Sequence, residues 1–382
     1  MRYLIFEYQY EGHYTEYIRH ILSYAKTHLP KDEIFLCVPN KYEDLCNGYL
    51  PQSDNFHFLY LSDEDLKILN KKGKFALLTH SYHRCKKISE LIRTYNIDQT
   101  ILITSIMYLC GIALFTPLNA SISGIEYIMP RYRENISFTK KLEDKFRMWL
   151  YARTPQLKRV FLLNDEESVG FYNEKYSTSK FMFLPDPIDC KVDKNNPKRL
   201  NTDKITLLHA GCFRREKGTF DIIDALNLLN PEERKKFRFI LCGKSAVPED
   251  NELANNKIKH LSELMDVEFY NSFVEELFLH KLYQECDYVL MPYHNYFQSS
   301  GNLGHAASYH KPVIGPNQGL LGRLIREYSL GYTVRTLDAY GIAETLREIL
   351  RQPNKEYRFE DYTRRCNPSN FAANIMDTDY SS

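Results

Sequence analysis

Hydrophobic and polar positions follow two different periods along most of this chain. Short apolar runs rich in β-branched and aromatic residues predict strands, and the longer amphipathic stretches between most of them predict helices. Seven strand-like runs lie in the first half: RYLIFEY, EIFLCVP, FHFLYL, QTILITSI, NASISGIEYI, RVFLLN and KFMFLP. Strands that alternate with helices indicate a parallel sheet that is covered on both faces.

The same alternation starts again after residues 187–204, which are polar, lack periodicity and predict a linker. Six more strand-like runs follow, each joined to the next through a helical stretch: ITLLHAG, FRFILCG, VEFYN, DYVLMPY, KPVIG and YTV. The chain is therefore predicted to be an α/β protein. Two doubly wound, Rossmann-like domains, residues 1–186 and 205–360, are expected to face each other across a cleft.

The loop GCFRREKGTF follows the first strand of the second half and precedes a clear helix. Gly211 lets the backbone turn, Arg214, Arg215 and Lys217 supply positive charge, and Thr219 is suited to cap the helix. Cations beside a helix N-terminus favour a phosphate group, because both attract negative charge. Ligands of such sheets bind at the carboxyl ends of the strands, so we expect a phosphate site here; the alternative is a solvated basic turn.

A second loop and helix start, SSGNLGHAAS, follows the strand DYVLMPY. Ser299 or Ser300 can cap this helix, and the amides of Gly301, Asn302 and Leu303 would point at an anion. A capped core helix is the plainer alternative. Together with the basic loop, however, the helix start predicts a diphosphate site. Neither GxxxxGK[ST] nor a GxGxxG after the first strand is present, so the Walker and dinucleotide motifs are excluded.

Composition narrows the class of protein. Lys plus Arg number 50 against 49 Asp plus Glu, which argues against nucleic-acid binding because such proteins carry a basic excess. Nine cysteines without a CxxC pair indicate reduced thiols and a cytoplasmic protein. The N-terminal residues predict a strand rather than a signal peptide, and no run approaches the roughly 18 apolar residues of a membrane helix.

Residues 131–159 carry nine Lys or Arg against three Asp or Glu, together with several aromatic residues and the only tryptophan. A basic helix with aromatic side chains suits the surface of an anionic membrane, which predicts peripheral contact with the inner face of a membrane. The alternative is that the aromatic residues pack into the domain and the charges are solvated. Acidic turns such as those at Asp63 and Asp165 do not fit a metal site in this fold, so we expect neither a metal nor a cofactor.

The order of motifs from about residue 205 to 350 resembles the retaining glycosyltransferases of the GT-B fold, in particular the large family-four group. The family's GRLxxEKG loop corresponds to GCFRREKG, and its vxFxGxvxxeeLxxlYxxaDvxvxPs stretch to VEFYNSFVEELFLHKLYQECDYVLMPY. Its EAxAxGkPVigxxxGglxelixxxxxG corresponds to HAASYHKPVIGPNQGLLGRLIREYSLG. The resemblance implies that the last segment, 361–382, crosses back to the first domain.

The chain departs from the family at three positions. The family's paired glutamates fall on Phe297 and His305, and its arginine after the glycine falls on Cys212. The chain therefore resembles a variant that lacks both acids. In the family the second glutamate binds the ribose of the donor, so the resemblance places His305 in the donor site.

The resemblance implies transfer of a sugar, with retention, from a UDP- or GDP-linked donor to a saccharide or lipid-linked acceptor, in cell-surface polysaccharide or glycolipid synthesis. Lys217 and Arg215 would stabilise the leaving diphosphate, and the first domain would bind the acceptor. Gly12 and His13 follow the first strand, where the family has a glycine-containing loop near the reacting sugar, and Glu126 follows another strand. His13 is a catalytic candidate. The alternatives are a GT-B scaffold that binds a nucleotide sugar without turnover, and a GT-B epimerase or phosphorylase.

Overall fold

The computed structural model describes residues 1–9, 14–70, 76–114, 119–134, 136–189, 203–352 and 356–377. The chain divides into two compact units, one formed by Met1–Pro187 together with the chain from Asn367 onward, the other by Ile188–Cys366. Most of the expected linker, residues 190–202, lies outside the described residues.

The first unit is built on a sheet of seven parallel strands in the order β3-β2-β1-β4-β5-β6-β7. The strands are β1 Arg2–Phe6, β2 Glu33–Pro39, β3 Phe56–Leu61, β4 Gln99–Leu102, β5 Ser121–Glu126, β6 Leu157–Leu163 and β7 Phe181–Leu184. The helices are α1 Tyr14–His28, α2 Glu43–Gly48, α3 Asp63–Leu69, α4 Ala76–Tyr95, α5 Leu109–Leu114, α6 Phe138–Arg153 and α7 Glu166–Tyr176. Strand β1 is buried from Tyr3 to Phe6, as expected of a central strand covered by helices on both faces.

The second unit has six parallel strands in the order β10-β9-β8-β11-β12-β13. The strands are β8 Ile205–Ala210, β9 Phe237–Gly243, β10 Asp266–Asn271, β11 Tyr288–Leu290, β12 Val313–Pro316 and β13 Gly331–Val334. The helices are α8 Thr219–Leu228, α9 Pro231–Arg234, α10 Pro248–Ser262, α11 Glu276–Glu285, α12 Gly301–Ser308, α13 Gly319–Glu327, α14 Ala339–Arg351 and α15 Phe359–Arg365. Apolar side chains of β8, β9, α8 and α14 form its core.

In both sheets the strand order reverses beside the first strand of the unit. Strand β1 lies between β2 and β4, and β8 lies between β9 and β11. Leu208 of β8 is paired with Val289 of β11, so the carboxyl ends of these two strands are adjacent. Open α/β sheets bind ligands at such a reversal point, outside the carboxyl ends of the strands.

The last helix, α16 Pro368–Met376, belongs to the first unit although it follows the second in the chain. Its apolar residues Phe371, Ala372, Ile375 and Met376 are buried in the core of the first unit. The Arg159 guanidinium donates hydrogen bonds to carbonyl oxygens at its C-terminal end. The crossing segment expected from residue 361 therefore starts at Asn367, because α15 still packs against α12 in the second unit.

The predicted fold class is confirmed: two doubly wound, parallel α/β units contain a strand at each of the thirteen predicted runs. Seven of the thirteen predicted strands are one to four residues longer than the observed strands. Their last residues form the loops at the carboxyl edge, as at Met291 to Tyr293 after β11. Within the described residues, every helix is too short or too polar to span a bilayer.

Candidate functional site

The basic loop after β8 is held in place by glycines at both of its ends. Gly211 and Gly218 have φ angles of 113° and 67°, in the left-handed region that favours glycine. Between them the chain forms a single 3-10 turn, Arg215–Lys217. A Cβ atom at Gly218 would lie 2.5 Å from the carbonyl oxygen of Pro292, so the loop packs directly against the segment that follows β11.

A buried histidine connects this loop to β11. His209 Nδ1 donates to the Leu290 carbonyl at 2.8 Å, and the Thr219 hydroxyl donates to Nε2 at 2.9 Å. The Arg214 amide donates to the Thr219 hydroxyl oxygen at 3.4 Å. Burial lowers the pKa of His209 to about 4, so the ring is neutral and keeps one donor and one acceptor. The structure corrects the prediction that Thr219 caps α8: the cap position is Gly218, and Thr219 is buried against His209.

Lys217 is half-buried on an aromatic ring. Its ammonium lies 3.9 Å from the ring centroid of Tyr293, a cation–π contact, and Tyr293 itself is buried. Burial, together with the nearby Arg214 charge, lowers the pKa of Lys217 to about 8. Desolvation and a like charge both disfavour the ammonium form, so an anion bound here would relieve an existing electrostatic cost.

The hydroxyl end of the same tyrosine meets the N-terminus of α12. The Asn302 side-chain amide donates to Tyr293 Oη at 2.8 Å and to the Ala210 carbonyl at 2.7 Å. The Ser300 hydroxyl also hydrogen-bonds to Tyr293. Tyr293 therefore joins Lys217, the end of β8 and the start of α12 in one arrangement at the reversal point of the sheet.

At the N-terminus of α12, fewer backbone amides are available to an anion than the sequence predicted. Ser300 occupies the cap position, but its side chain accepts no bond from the helix amides, so the predicted Ser300 cap is not formed. The Leu303 amide donates to the Ser300 carbonyl at 3.0 Å and is therefore occupied. Within the described part of the chain, the amides of Gly301 and Asn302 have no hydrogen-bond acceptor, as is usual in a first helical turn.

Two other predicted donor residues, Arg215 and His305, contact different parts of the second unit. Arg215 is exposed, and its guanidinium lies 5.8 Å from the ring centroid of Phe220. His305 is half-buried on α12, with its ring 5.6 Å from Tyr283 and 6.0 Å from His280 of α11. The structure thus brings Lys217 together with the start of α12 through Tyr293, while His305 lies on the side of the helix that packs on α11.

On the acceptor side, Gly12 and His13 lie outside the described residues. Glu126 is buried, and its carboxylate accepts hydrogen bonds from the Tyr151 hydroxyl at 2.8 Å and the Ile128 amide at 2.9 Å. It also forms an ion pair with Arg147 at 4.0 Å. These internal partners give Glu126 a structural role in holding α6 on the sheet, and its predicted place near an acceptor remains a prediction.

Sequence reasoning missed a buried acid at the carboxyl end of β1. Glu7 accepts hydrogen bonds from the Thr104 hydroxyl at 3.0 Å and from the Gln9 amide at 2.8 Å. Burial raises its pKa to about 7. An acid directly after a buried strand was visible in the sequence as FEY, but nothing in the pattern indicated that Thr104 of a distant loop would contact it.

Comparisons with known proteins indicate the family that the second unit resembles and the fold of the whole chain. Residues 192–366, which include most of the second unit, match the family model "Glycosyl transferases group 1". A comparison with curated protein sequences gave no match.

Several solved structures share the fold over nearly the whole chain. HepE from Anabaena, in complex with UDP and glucose, is 14% identical, with a TM-score of 0.70, and the match covers 100% of this chain and 99% of HepE. An α,α-trehalose-phosphate synthase (UDP-forming) from Burkholderia xenovorans, in complex with glucose-6-phosphate, is 9% identical over 98% of this chain and 99% of that one, with a TM-score of 0.69. WaaG, a glycosyltransferase involved in lipopolysaccharide biosynthesis, is 14% identical over 98% of this chain and 100% of WaaG, with a TM-score of 0.66. At these identities the likeness establishes the fold, which is the GT-B fold of glycosyltransferases.

Proposed function

We propose that the protein is a glycosyltransferase that transfers a sugar from a nucleotide-diphosphate sugar to a saccharide or lipid-linked acceptor, with retention of configuration. One observation carries the proposal. The ammonium of Lys217 is half-buried on Tyr293, and the hydroxyl end of Tyr293 contacts the start of α12, at the point where the strand order of the second sheet reverses.

In this proposal the diphosphate of the donor binds between the basic loop and the start of α12. Lys217, with Arg214 and Arg215 beside it, balances the negative charge that develops on the leaving diphosphate. The amides of Gly301 and Asn302 donate hydrogen bonds to its oxygens. Such groups are already oriented before the reaction, so their effect on the transition state is large.

Catalysis of this kind needs no protein nucleophile. The acceptor hydroxyl attacks on the face from which the diphosphate leaves, and the diphosphate takes up the proton. This agrees with the absence of an acid among residues 297–305. His305 is proposed to contact the nucleoside in place of a carboxylate, and Gly12 and His13 to lie on the acceptor side. The same scheme assigns no step to a metal ion.

The donor is proposed to be a UDP-sugar, since two of the structural neighbours bind or form UDP by name. A role in cell-surface polysaccharide or glycolipid synthesis is supported by the likeness to WaaG.

A two-stage experiment tests this function. Thermal shift with UDP, GDP, ADP and CDP should show selective stabilisation by UDP, of about 2.7 kcal/mol at a hundred times the dissociation constant. Release of UDP from a panel of UDP-sugars, with saccharide and lipid-linked acceptors and a chelator present, should then exceed the rate without acceptor. Stabilisation by GDP alone would contradict the choice of donor. If the protein binds UDP but releases no nucleotide from a UDP-sugar with any acceptor, the non-catalytic scaffold would be favoured.

Binding of UDP is expected to weaken as the pH rises through about 8, because the free protein then loses the Lys217 proton. The bound diphosphate raises the pKa of this ammonium, so the association constant should fall up to tenfold per pH unit between the two pKa values. Calorimetry from pH 7 to 9.5 measures this slope. Lys217→Arg provides the control, since a guanidinium stays protonated over this range and should give a flat profile. An equal slope in both proteins would assign the titration to another group.

A further inference from the structure

Helix α6 of the first unit presents a row of large apolar side chains to solvent. At about 100° per residue, its members fall within an arc of roughly 80° on one side of the helix. The exposed fractions are 74% for Phe138, 48% for Leu142, 54% for Phe146 and 45% for Trp149. The rings of Phe146 and Trp149 stack with centroids 5.8 Å apart. We call these four residues the apolar row; contiguous exposed apolar surface of this kind marks an interaction site.

The opposite side of α6 fixes its rotation, so the row cannot turn inward. Asp144, Arg147 and Tyr151 are buried there. Arg147 forms ion pairs with Asp144 at 3.2 Å and with Glu126 at 4.0 Å, while the Tyr151 hydroxyl donates to Glu126. Breaking buried ion pairs is strongly destabilising, because each partner would be left as an uncompensated charge. The buried network that contains Glu126 therefore keeps the apolar row exposed.

A basic cavity of about 240 Å³ lies beside the row, between α6, the loop after β5 and α7. Five of its lining side chains are cationic: Arg131, Arg133, Lys141, Lys145 and Lys175. Asp144 is the only acidic residue among the described lining residues. It pairs with Arg133 at 3.1 Å and also with Arg147. Lys141 and Lys145 have no acidic partner within the described residues, and both lie next to the row on α6.

We propose that the apolar row and the basic cavity form a docking surface for an anionic phospholipid bilayer. The row would enter the boundary between headgroups and acyl chains, and the cavity would take a lipid phosphate. An amphipathic helix with aromatic residues on one side and cations beside them binds membranes in this orientation. Each cation near an anionic surface adds to the attraction, which favours a bilayer over a neutral protein surface as the occupant. The inference concerns the first unit and does not depend on the donor site.

Flotation of the full chain with vesicles provides the test, using phosphatidylglycerol mixed with phosphatidylcholine against phosphatidylcholine alone. We expect the protein to bind the mixed vesicles. Its affinity for the neutral vesicles should be lower by a factor of about ten or more. Trp149 is the only tryptophan of the chain, so its emission should shift to shorter wavelength as it leaves water. Binding without this shift would overturn the proposed orientation.

Two double variants, both of which keep Trp149, distinguish the contribution of the apolar row to vesicle binding from that of the basic cavity. Lys141→Gln/Lys145→Gln should weaken binding to the mixed vesicles about thirtyfold, and Phe138→Ser/Leu142→Ser about tenfold or more. The matched controls are Lys235→Gln/Lys236→Gln and Phe273→Ser/Leu277→Ser, which change exposed side chains of the second unit and should leave binding unchanged.

Circular dichroism and the midpoint of thermal unfolding should stay close to the unmodified protein in each variant, since every substituted side chain is exposed. Unchanged vesicle binding in both α6 variants would overturn the proposal. So would a dimer in light scattering that dissociates only in Phe138→Ser/Leu142→Ser, because a second copy of the chain would then be the occupant of the row.

Discussion

Lys217→Met is expected to lower kcat/KM for the nucleotide sugar about a hundredfold, corresponding to about 3 kcal/mol of lost transition-state stabilisation. Methionine keeps an unbranched apolar stem on the Tyr293 ring and removes only the ammonium, which lies 3.9 Å from the ring centroid. The charge that develops on the leaving diphosphate then has no half-buried cation beside it. Steady-state release of nucleotide in the presence of acceptor measures the effect.

The matched control is Lys236→Met, which changes an exposed lysine before the amino end of β9, at the opposite edge of the sheet. This variant should keep the unmodified kcat/KM. The free energy of unfolding of Lys217→Met should be unchanged or slightly higher, since the lowered pKa of Lys217 shows that its charge is disfavoured in the folded protein. A loss of less than threefold in Lys217→Met would remove this residue from the diphosphate site.

Gly218→Ala is expected to lower both the stability of the second unit and the affinity for UDP. Alanine at a φ of 67° costs about 1–2 kcal/mol, and its methyl group would lie 2.5 Å from the Pro292 carbonyl oxygen, which costs about as much again. A total of about 3 kcal/mol lowers the unfolding midpoint of a unit of this size by roughly 6 to 12 °C. Relief of the clash moves the loop away from β11, so Lys217 would leave Tyr293.

Gly170→Ala tests whether any glycine substitution has this effect. Gly170 lies in the interior of α7, and no atom comes within 4 Å of a Cβ built there. This change should raise the free energy of unfolding by about 0.5 to 1 kcal/mol and leave UDP binding unaltered. If Gly218→Ala unfolds at the same temperature as the unmodified protein and binds UDP normally, the loop is not held by its contact with Pro292.

The sheets could be predicted because each strand carries its own local signal. The run RYLIFEY is apolar on both faces, as a strand covered on both sides must be, and the same holds for ITLLHA. The order of the strands and the final return of α16 needed knowledge of the fold, since no local pattern states which strands are neighbours. The division at Asn367 depends on packing of α15 against α12, which sequence periodicity does not show.

The candidate site could be predicted only where a residue acts through its own charge or backbone. Lys217 and the amides of α12 are of this kind. Tyr293 and His209 could not be found in this way, because their roles arise from contacts between segments about 80 residues apart. The prediction for Thr219 failed for the opposite reason. Threonine often caps helices, but here its hydroxyl donates a hydrogen bond to the buried His209, which needs a donor.

The return of α16 to the first unit has a consequence for how the protein is made. The ribosome makes Met1–Pro187 before α16, so the core of that unit lacks Phe371, Ala372, Ile375 and Met376 until α16 has been synthesised. Between them come 179 residues, Ile188–Cys366, which at about 5–20 residues per second take roughly ten to forty seconds. Throughout that interval the nascent first unit exposes the apolar side of α1 that α16 later covers. We therefore expect this unit to need chaperones for longer than its position in the chain suggests.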